Sequence, residues 1–257
     1  MKKYNLLVPM AGLGSRFVEA GYKVPKQFLY VGKKQLIDIS LECFNISECN
    51  LIFVVRDEQV ANYNVDKLLK SKYGEDVIIV VTDGLTEGSV CSCLLAQEFI
   101  DNELPLFIHT LDIQFSPNVE PEQISQTDID GLLLTFKSNS SNYSYAQIDK
   151  GGYVCQTAEK KVISDEACVG IYYFKTGALF CQNAKEMIAR NLRTNNEFYI
   201  SPLYNLLIEK NLSVKTLAVK KMHIFGTPTE FEFYKNNVVK KIGTKPIALC
   251  ADHSGYK

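Results

Sequence analysis

Long hydrophobic runs are missing from this 257-residue chain: its apolar stretches, such as 51–55 and 77–81, are only about five residues long. A membrane-spanning helix needs roughly 20, so none is expected. A secretory leader is not expected either, because Pro9 and Gly12 interrupt the apolar residues after Met1-Lys2-Lys3 and no cleavage-site pattern follows. The expected location is cytoplasmic. Charge of one sign is also lacking, with 28 Lys+Arg against 29 Asp+Glu and a net charge of -1. Broad attraction to nucleic acid or an anionic membrane is therefore not expected, and an anionic ligand has to be met by a local pocket. Eight cysteines include no Cys-x-x-Cys pair and no adjoining His cluster, which argues against zinc and for buried thiols. What the chain does have is 46% hydrophobic and 22% charged residues, the balance of a folded globular protein. Its length suits one large domain, or one domain with an elaboration.

Short β-branched and aliphatic runs alternate with helical patterns through the first half. The pattern predicts strands over 4–10, 51–55, 77–82 and 106–111, with helices over 35–44, 60–70 and 88–100 between them. Crossovers of that size imply a largely parallel sheet covered on both faces. After Asp112 the rhythm changes, and strand-like runs at 131–137, 144–149, 153–159 and 168–174 follow at short intervals, as in antiparallel additions. Helices over 177–191 and 201–210, a strand over 214–219 and a helix over 228–240 complete the domain. The last helix has a readable start: Thr227 as cap, Pro228 in the first turn and Glu230 to return a capping-box bond. Function is expected between the two halves.

The strongest local signal is Pro9-Met10-Ala11-Gly12-Leu13-Gly14-Ser15-Arg16-Phe17, followed by Pro25-Lys26. A glycine loop at the end of a strand lets backbone N–H groups approach a phosphate, and Arg16 can grip phosphate oxygens through its planar fork. Lys26 adds a second positive charge. Neither standard alternative fits, since the dinucleotide fingerprint needs a third glycine where Phe17 stands and the Walker pattern needs Gly-Lys-Ser/Thr.

The whole string resembles the signature of the sugar-phosphate nucleotidylyltransferases, the pyrophosphorylases that make nucleotide sugars, and the resemblance extends more loosely over about residues 4–240. It implies a Rossmann-like, three-layer α/β fold with a mainly parallel, mixed central sheet and helices on both faces. It also implies that Ala11, Gly12, Gly14, Arg16 and Lys26 hold a nucleoside triphosphate. Gly88 and Ser89 stand where the family packs a helix start against base and ribose. Asp112, at the end of the fourth predicted strand, stands where the family keeps a magnesium-binding aspartate, and that is also the crevice in which open α/β sheets bind ligands. On the acceptor side Tyr145, Glu159, Lys160 and Gly170 match family elements, and Asn196 lies in a stretch that lines substrate in some members. Two positions depart from the pattern. Ala146 replaces a glycine, with a methyl group that can narrow the acceptor pocket, and Ile224 stands where relatives carry a second metal-binding Asp before Gly226-Thr227. Either His223 or Glu230 compensates, or Asp112, water and substrate phosphates hold the magnesium ion.

The implied reaction is attack by an acceptor phosphate oxygen on the α-phosphorus of the triphosphate, with pyrophosphate leaving in line. It needs neither a protein nucleophile nor a dedicated base, because the acceptor phosphate is already largely ionised at neutral pH. The expected substrates are a triphosphate, by preference a pyrimidine one, and a sugar 1-phosphate or similar small phosphomonoester for activated-sugar and surface-polysaccharide synthesis. Two other readings stay open: a glycosyltransferase of related architecture, which usually presents Asp-x-Asp where this chain has Asp112-Ile113-Gln114, and a non-catalytic nucleotide-binding module. A homo-oligomer is compatible with the sequence, which does not reveal the state. The final string Ala251-Asp252-His253-Ser254-Gly255-Tyr256 resembles the start of type B ribose-phosphate isomerases. It implies a nucleotidylyltransferase domain over 1–243 and, from 244–257, a linker into a fused isomerase-like domain.

Overall fold

The computed structural model describes residues 2–116, 121–219 and 221–242; the tail that carries the isomerase resemblance lies outside them. The order is β1 (Tyr4–Pro9), α1 (Ser15–Glu19), β2 (Tyr30–Val31), β3 (Lys34–Gln35), α2 (Leu36–Leu41), β4 (Cys49–Arg56), α3 (Asp57–Tyr63), α4 (Val65–Tyr73), β5 (Ile78–Thr82), α5 (Ser89–Leu94), α6 (Gln97–Ile100), β6 (Leu106–His109) and β7 (Ile113–Ser116). Then come α7 (Pro121–Ser125), β8 (Gly131–Lys137), β9 (Ser144–Ile148), β10 (Val154–Glu159), β11 (Glu166–Phe174), α8 (Gly177–Ala189), α9 (Ile200–Glu209), β12 (Val214–Ala218), β13 (Lys221–Ile224) and α10 (Pro228–Ile242).

The central sheet runs β10-β9-β11-β6-β1-β4-β5, with β8 pairing β11 and β12 off that path. It is mixed. Pairing is parallel across β6-β1-β4-β5 and between β8 and β12, and antiparallel from β6 through β11 and β9 to β10. The change of rhythm after Asp112 is the point at which the antiparallel strands join.

Side-chain alternation along the strands makes the three layers. Leu7 of β1, Ile52 and Val54 of β4 and Leu106 and Ile108 of β6 face a core closed by residues of α5, α6, α8 and α9. Leu6 and Val8, Leu51, Phe53 and Val55, and Phe107 face the opposite core, closed by α2 and α4. Strands with both faces covered are largely apolar, which is why Leu6–Val8 of β1 and Leu51–Val55 of β4 read as hydrophobic runs, while the buried Asn5 of β1 is satisfied by Asn50 and Asn102. The helix expected over 60–70 is two helices, because Asn64 adopts a left-handed φ of 48° between α3 and α4. The capping box of α10 is present: Thr227 N–H donates to Glu230 Oε2 at 2.9 Å and Glu230 N–H to Thr227 Oγ1 at 3.3 Å.

Sequence pattern did not show the ribbon of β7 and β13, which pairs 113–116 antiparallel with 221–224. Each strand is four residues long and only the pairing makes either one regular. This ribbon places Phe225 and Gly226 beside Asp112.

Phe53 is fully buried, stacked on Tyr73 at a ring separation of 5.9 Å. Phe53→Ala is expected to cost about 3–5 kcal/mol, read from chemical denaturation; a loss below 1 kcal/mol would show that this face of the sheet is not a packed core.

Candidate active site

The carboxyl ends of β6, β1, β4 and β5 open onto one cleft of about 770 Å³. The 9–18 loop forms its floor. Gly14, with φ 61°, is the N-cap of α1 and starts the turn. Phe17, where a dinucleotide site would have its third glycine, is buried against Tyr22 at 5.3 Å and Phe231 at 6.2 Å and anchors the loop in a small third core. On the other side Arg56 Nη1 donates to the Ala11 carbonyl at 3.1 Å and Gln59 Nε2 to the Met10 carbonyl at 3.2 Å. Apart from their chain neighbours, no atom among the described residues lies within 4 Å of where a Cβ on Gly12 or Gly14 would stand. The loop is thus held from below and open above.

Lys26 begins a short 3-10 turn after Pro25, and its side chain is 15% exposed. The ammonium forms an ion pair with the Asp112 carboxylate. Burial is the main cause that lowers its pKa to about 8; the Arg16 charge adds to this and Glu230 opposes it. Arg16 is exposed, and its guanidinium makes no hydrogen bond or ion pair among the described residues. Asp112 thus meets the Lys26 charge in the free protein, while the nearby Arg16 guanidinium stays open to an anion.

Asp112 follows β6 through a Thr110-Leu111 turn. Thr110 N–H donates to the Gly170 carbonyl at 3.0 Å, and the Asp112 carbonyl accepts from Phe225 N–H at 2.9 Å. Gly170 has φ 84°, and a Cβ there would collide with the Thr110 hydroxyl; the β11 register shifts between Cys168 and Tyr172 around it, the kind of irregularity that re-aims side chains beside sites. Gly88, with φ 128°, precedes α5, and a Cβ on it would stand 2.5 Å from the Phe198 nitrogen. Close backbone approach is required there because Phe198 N–H donates to Glu87 and Val90 N–H to Phe198, both at 2.9 Å. That lacing joins the 85–89 turn to the 194–200 segment across the cleft.

Of the residues singled out from sequence, Ala11, Gly12, Gly14, Arg16, Lys26, Gly88, Ser89, Asp112, Glu159 and Gly170 line this one cleft. Tyr145, Lys160 and Asn196 do not. Tyr145 is fully buried with its hydroxyl on the Ser140 carbonyl at 2.8 Å; two residues earlier, just before β9, Tyr143 lines the cleft instead. Lys160 lies outside, its Nζ on the Tyr199 hydroxyl at 2.9 Å, and it is Tyr199 that lines the cavity. Asn196 sits at φ 65° in a turn whose next residue, Glu197, is the one in the wall. Ala146 is buried in the core, so its methyl group does not narrow the cleft. Sequence reasoning missed Arg56, which lines the cleft although only 9% exposed and holds the Ala11 carbonyl. A single charge closing the apolar strand Leu51–Val55, at a carboxyl end, was the signal available.

Metal fit is limited to Asp112. Among the described residues no group of three His, Cys, Asp or Glu is arranged to hold an ion. His223 packs its ring against Tyr234 at 5.0 Å and does not line the cleft. Glu230 does line it, with Oε2 taken by the Thr227 N–H at 2.9 Å and Oε1 facing the Tyr143 hydroxyl at 3.4 Å. A single carboxylate, itself paired with Lys26, suits magnesium, which keeps several waters and substrate phosphates in its shell, and does not suit a protein-caged metal.

A family model described as nucleotidyl transferase matches residues 7–218. Among solved structures, a nucleoside-diphosphate-sugar pyrophosphorylase from Vibrio cholerae RC9 superposes with a TM-score of 0.79 at 28% identity, covering 90% of this chain and 99% of that one. A UDP-glucose pyrophosphorylase complexed with UDP-glucose gives 0.72 at 20% identity, over 94% and 100% of the two chains. An inositol-1-phosphate CTP transferase from T. maritima gives 0.68 at 13% identity, over 94% and 97%. The last two show the fold alone. No curated protein matches the sequence. No helix among the described residues is long and apolar enough to cross a membrane.

Burial raises the Glu159 carboxyl to about 7, with Lys160 opposing and Glu197 adding to the shift. Because the folded protein holds this proton more tightly than the unfolded chain, the ionised form is penalised above pH 7 and the penalty vanishes below the unfolded value near 4.5. Glu159→Gln is therefore expected to stabilise the protein by roughly 1–3 kcal/mol at pH 8 and to leave it unchanged at pH 4.5. Equal effects at both pH values, in thermal or urea unfolding, would show that Glu159 is not desolvated in this way.

Proposed function

This chain belongs to the nucleotidyl transferase family, and on that premise we propose that it transfers a nucleotidyl group from a triphosphate to a sugar 1-phosphate or similar small phosphomonoester, releasing pyrophosphate. The observation that carries this reading is the pairing of a desolvated Lys26 ammonium with an unpartnered Arg16 above a glycine loop whose upper side is open. An anionic ligand laid on the loop meets Arg16 and offers Lys26 a second anion beside Asp112.

The triphosphate lies over Gly12 and Gly14 with Arg16 and Lys26 on its phosphates, and its base points toward Arg56 and the Leu85–Ser89 turn. The donor we propose is a pyrimidine triphosphate. The acceptor enters from the other end, between Gly170 of β11, Tyr143, Glu159 and Tyr199. In-line geometry and charge stabilisation do the catalytic work, because the acceptor phosphate is its own nucleophile. Magnesium held by Asp112 and the phosphates would neutralise charge on the departing pyrophosphate. The nucleoside-diphosphate-sugar activity named for the Vibrio relative supports the choice of acceptor class. Polysaccharide precursor synthesis is the setting this reaction suits.

Thermal stabilisation by CTP, UTP, dTTP, GTP and ATP with magnesium identifies the donor, and pyrophosphate release against a panel of sugar 1-phosphates and polyol phosphates identifies the acceptor. Stabilisation by one pyrimidine triphosphate is expected. Lys26→Ala is expected to lower turnover by about 100-fold or more with the fold intact. Near-normal turnover in that variant would remove Lys26 from the role, and stabilisation by nucleotide sugars without any pyrophosphate release would contradict the reaction.

A further inference from the structure

His109 is the last residue of β6, wholly buried, and the proposed reaction does not use it. Its surroundings fix its hydrogen-bonding state. Ser40 of α2 donates its hydroxyl proton to the Ile113 carbonyl at 2.6 Å, so the Ser40 Oγ and carbonyl that face His109 Nε2, at 2.8 and 3.1 Å, are both acceptors. Nε2 therefore carries the proton and Nδ1 is left as an acceptor, facing the Leu111 N–H at 3.4 Å. Burial lowers the imidazole pKa to about 4, with backbone groups of Ser40 and Gly170 pulling the other way, in keeping with a neutral ring.

Leu111 has φ 60°, a left-handed backbone that a leucine does not adopt without support. Its side chain is 2% exposed in the core under α2. The turn is pinned at both ends by one residue, since Ser40 meets His109 before it and Ile113 after it. Asp112 is the residue between Leu111 and Ile113.

We propose that His109 is a positioning residue: its neutral ring, braced on Ser40, accepts the Leu111 N–H and keeps that residue left-handed, which turns the Asp112 carboxylate into the cleft toward Lys26. This rests on the reading of Asp112 as the carboxylate that engages magnesium and triphosphate. The role belongs to Nδ1 in particular, which separates it from a general contribution to the core.

Asparagine and glutamine at 109 divide the two ring nitrogens between them. Asn places its oxygen where Nδ1 stands, and Gln places its amide nitrogen where Nε2 stands. Amide hydrogen exchange of the 110–113 segment reads the turn itself. In His109→Asn the Leu111 amide is expected to exchange within about threefold of the wild-type rate, and in His109→Gln at least about tenfold faster. Mn2+ affinity, measured by electron paramagnetic resonance with the triphosphate that most stabilises the wild type, reads Asp112. It is expected to weaken about tenfold in the Gln variant and by less than about threefold in the Asn variant. If the two variants behave alike in exchange, the proposal is overturned. Should His109→Gln fail to fold, adding Leu111→Gly removes the left-handed strain that the ring opposes, and folding and Mn2+ binding are expected to return; no recovery overturns the proposal. If the exchange pattern holds while Asp112→Asn leaves Mn2+ affinity unchanged, the metal reading of Asp112 has failed and the clamp on Leu111 has not.

Discussion

A lysine ammonium held out of water beside an arginine is the constraint around which this structure is arranged. Such a charge persists only where a carboxylate or a ligand meets it. In the free protein Asp112 does so, and every element that positions Lys26 or Asp112 shares in keeping the pair together. One short helix serves both. Through Gln35, whose Nε2 donates to the Phe28 carbonyl at 3.2 Å, and Leu36, whose N–H donates to Leu29 at 2.9 Å, α2 holds the turn that carries Lys26. Through Ser40 it holds the turn that carries Asp112.

The remaining walls are tied by backbone contacts, which leaves their side chains for the ligand. The 85–89 turn and the 194–200 segment are laced through Phe198, and Arg193 stacks on the Phe198 ring at 4.0 Å while pairing with Glu87. The β7–β13 ribbon presses Gly226 against Asp112, and Thr227 then caps α10, which brings Glu230 to the same cleft. A charge-dense site thus stands on rigid elements that converge from both halves of the chain.

Much of this was legible in the sequence, for identifiable reasons. Continuous apolar runs such as Leu51–Val55 announced a sheet buried on both faces, and the Gly12-Leu13-Gly14 loop, weak by itself, became readable through the whole string from Pro9 to Phe17 with Pro25-Lys26 and its family resemblance. Asp112 was legible from its place at a strand end. Other features depend on partners distant in sequence. The β7–β13 ribbon pairs segments about 100 residues apart, and neither has a period of its own. Tyr145 and Tyr143 differ in role because Tyr145 is buried within β9 while Tyr143, just before the strand, lines the cleft, a distinction no local pattern holds. His109 reads as one more residue of an apolar strand until Ser40 and Leu111 are seen against its two nitrogens.

The central claim is that the desolvated ammonium of Lys26 exchanges its surroundings for a triphosphate. Calorimetric titration of the best-binding triphosphate at pH 8, in two buffers of different ionisation enthalpy, measures the protons taken up on binding. With a Lys26 pKa of about 8 in the free protein, the account predicts uptake of about half a proton by the wild type and none by Lys26→Met. Binding by the wild type without proton uptake, or equal uptake by both proteins, would contradict it.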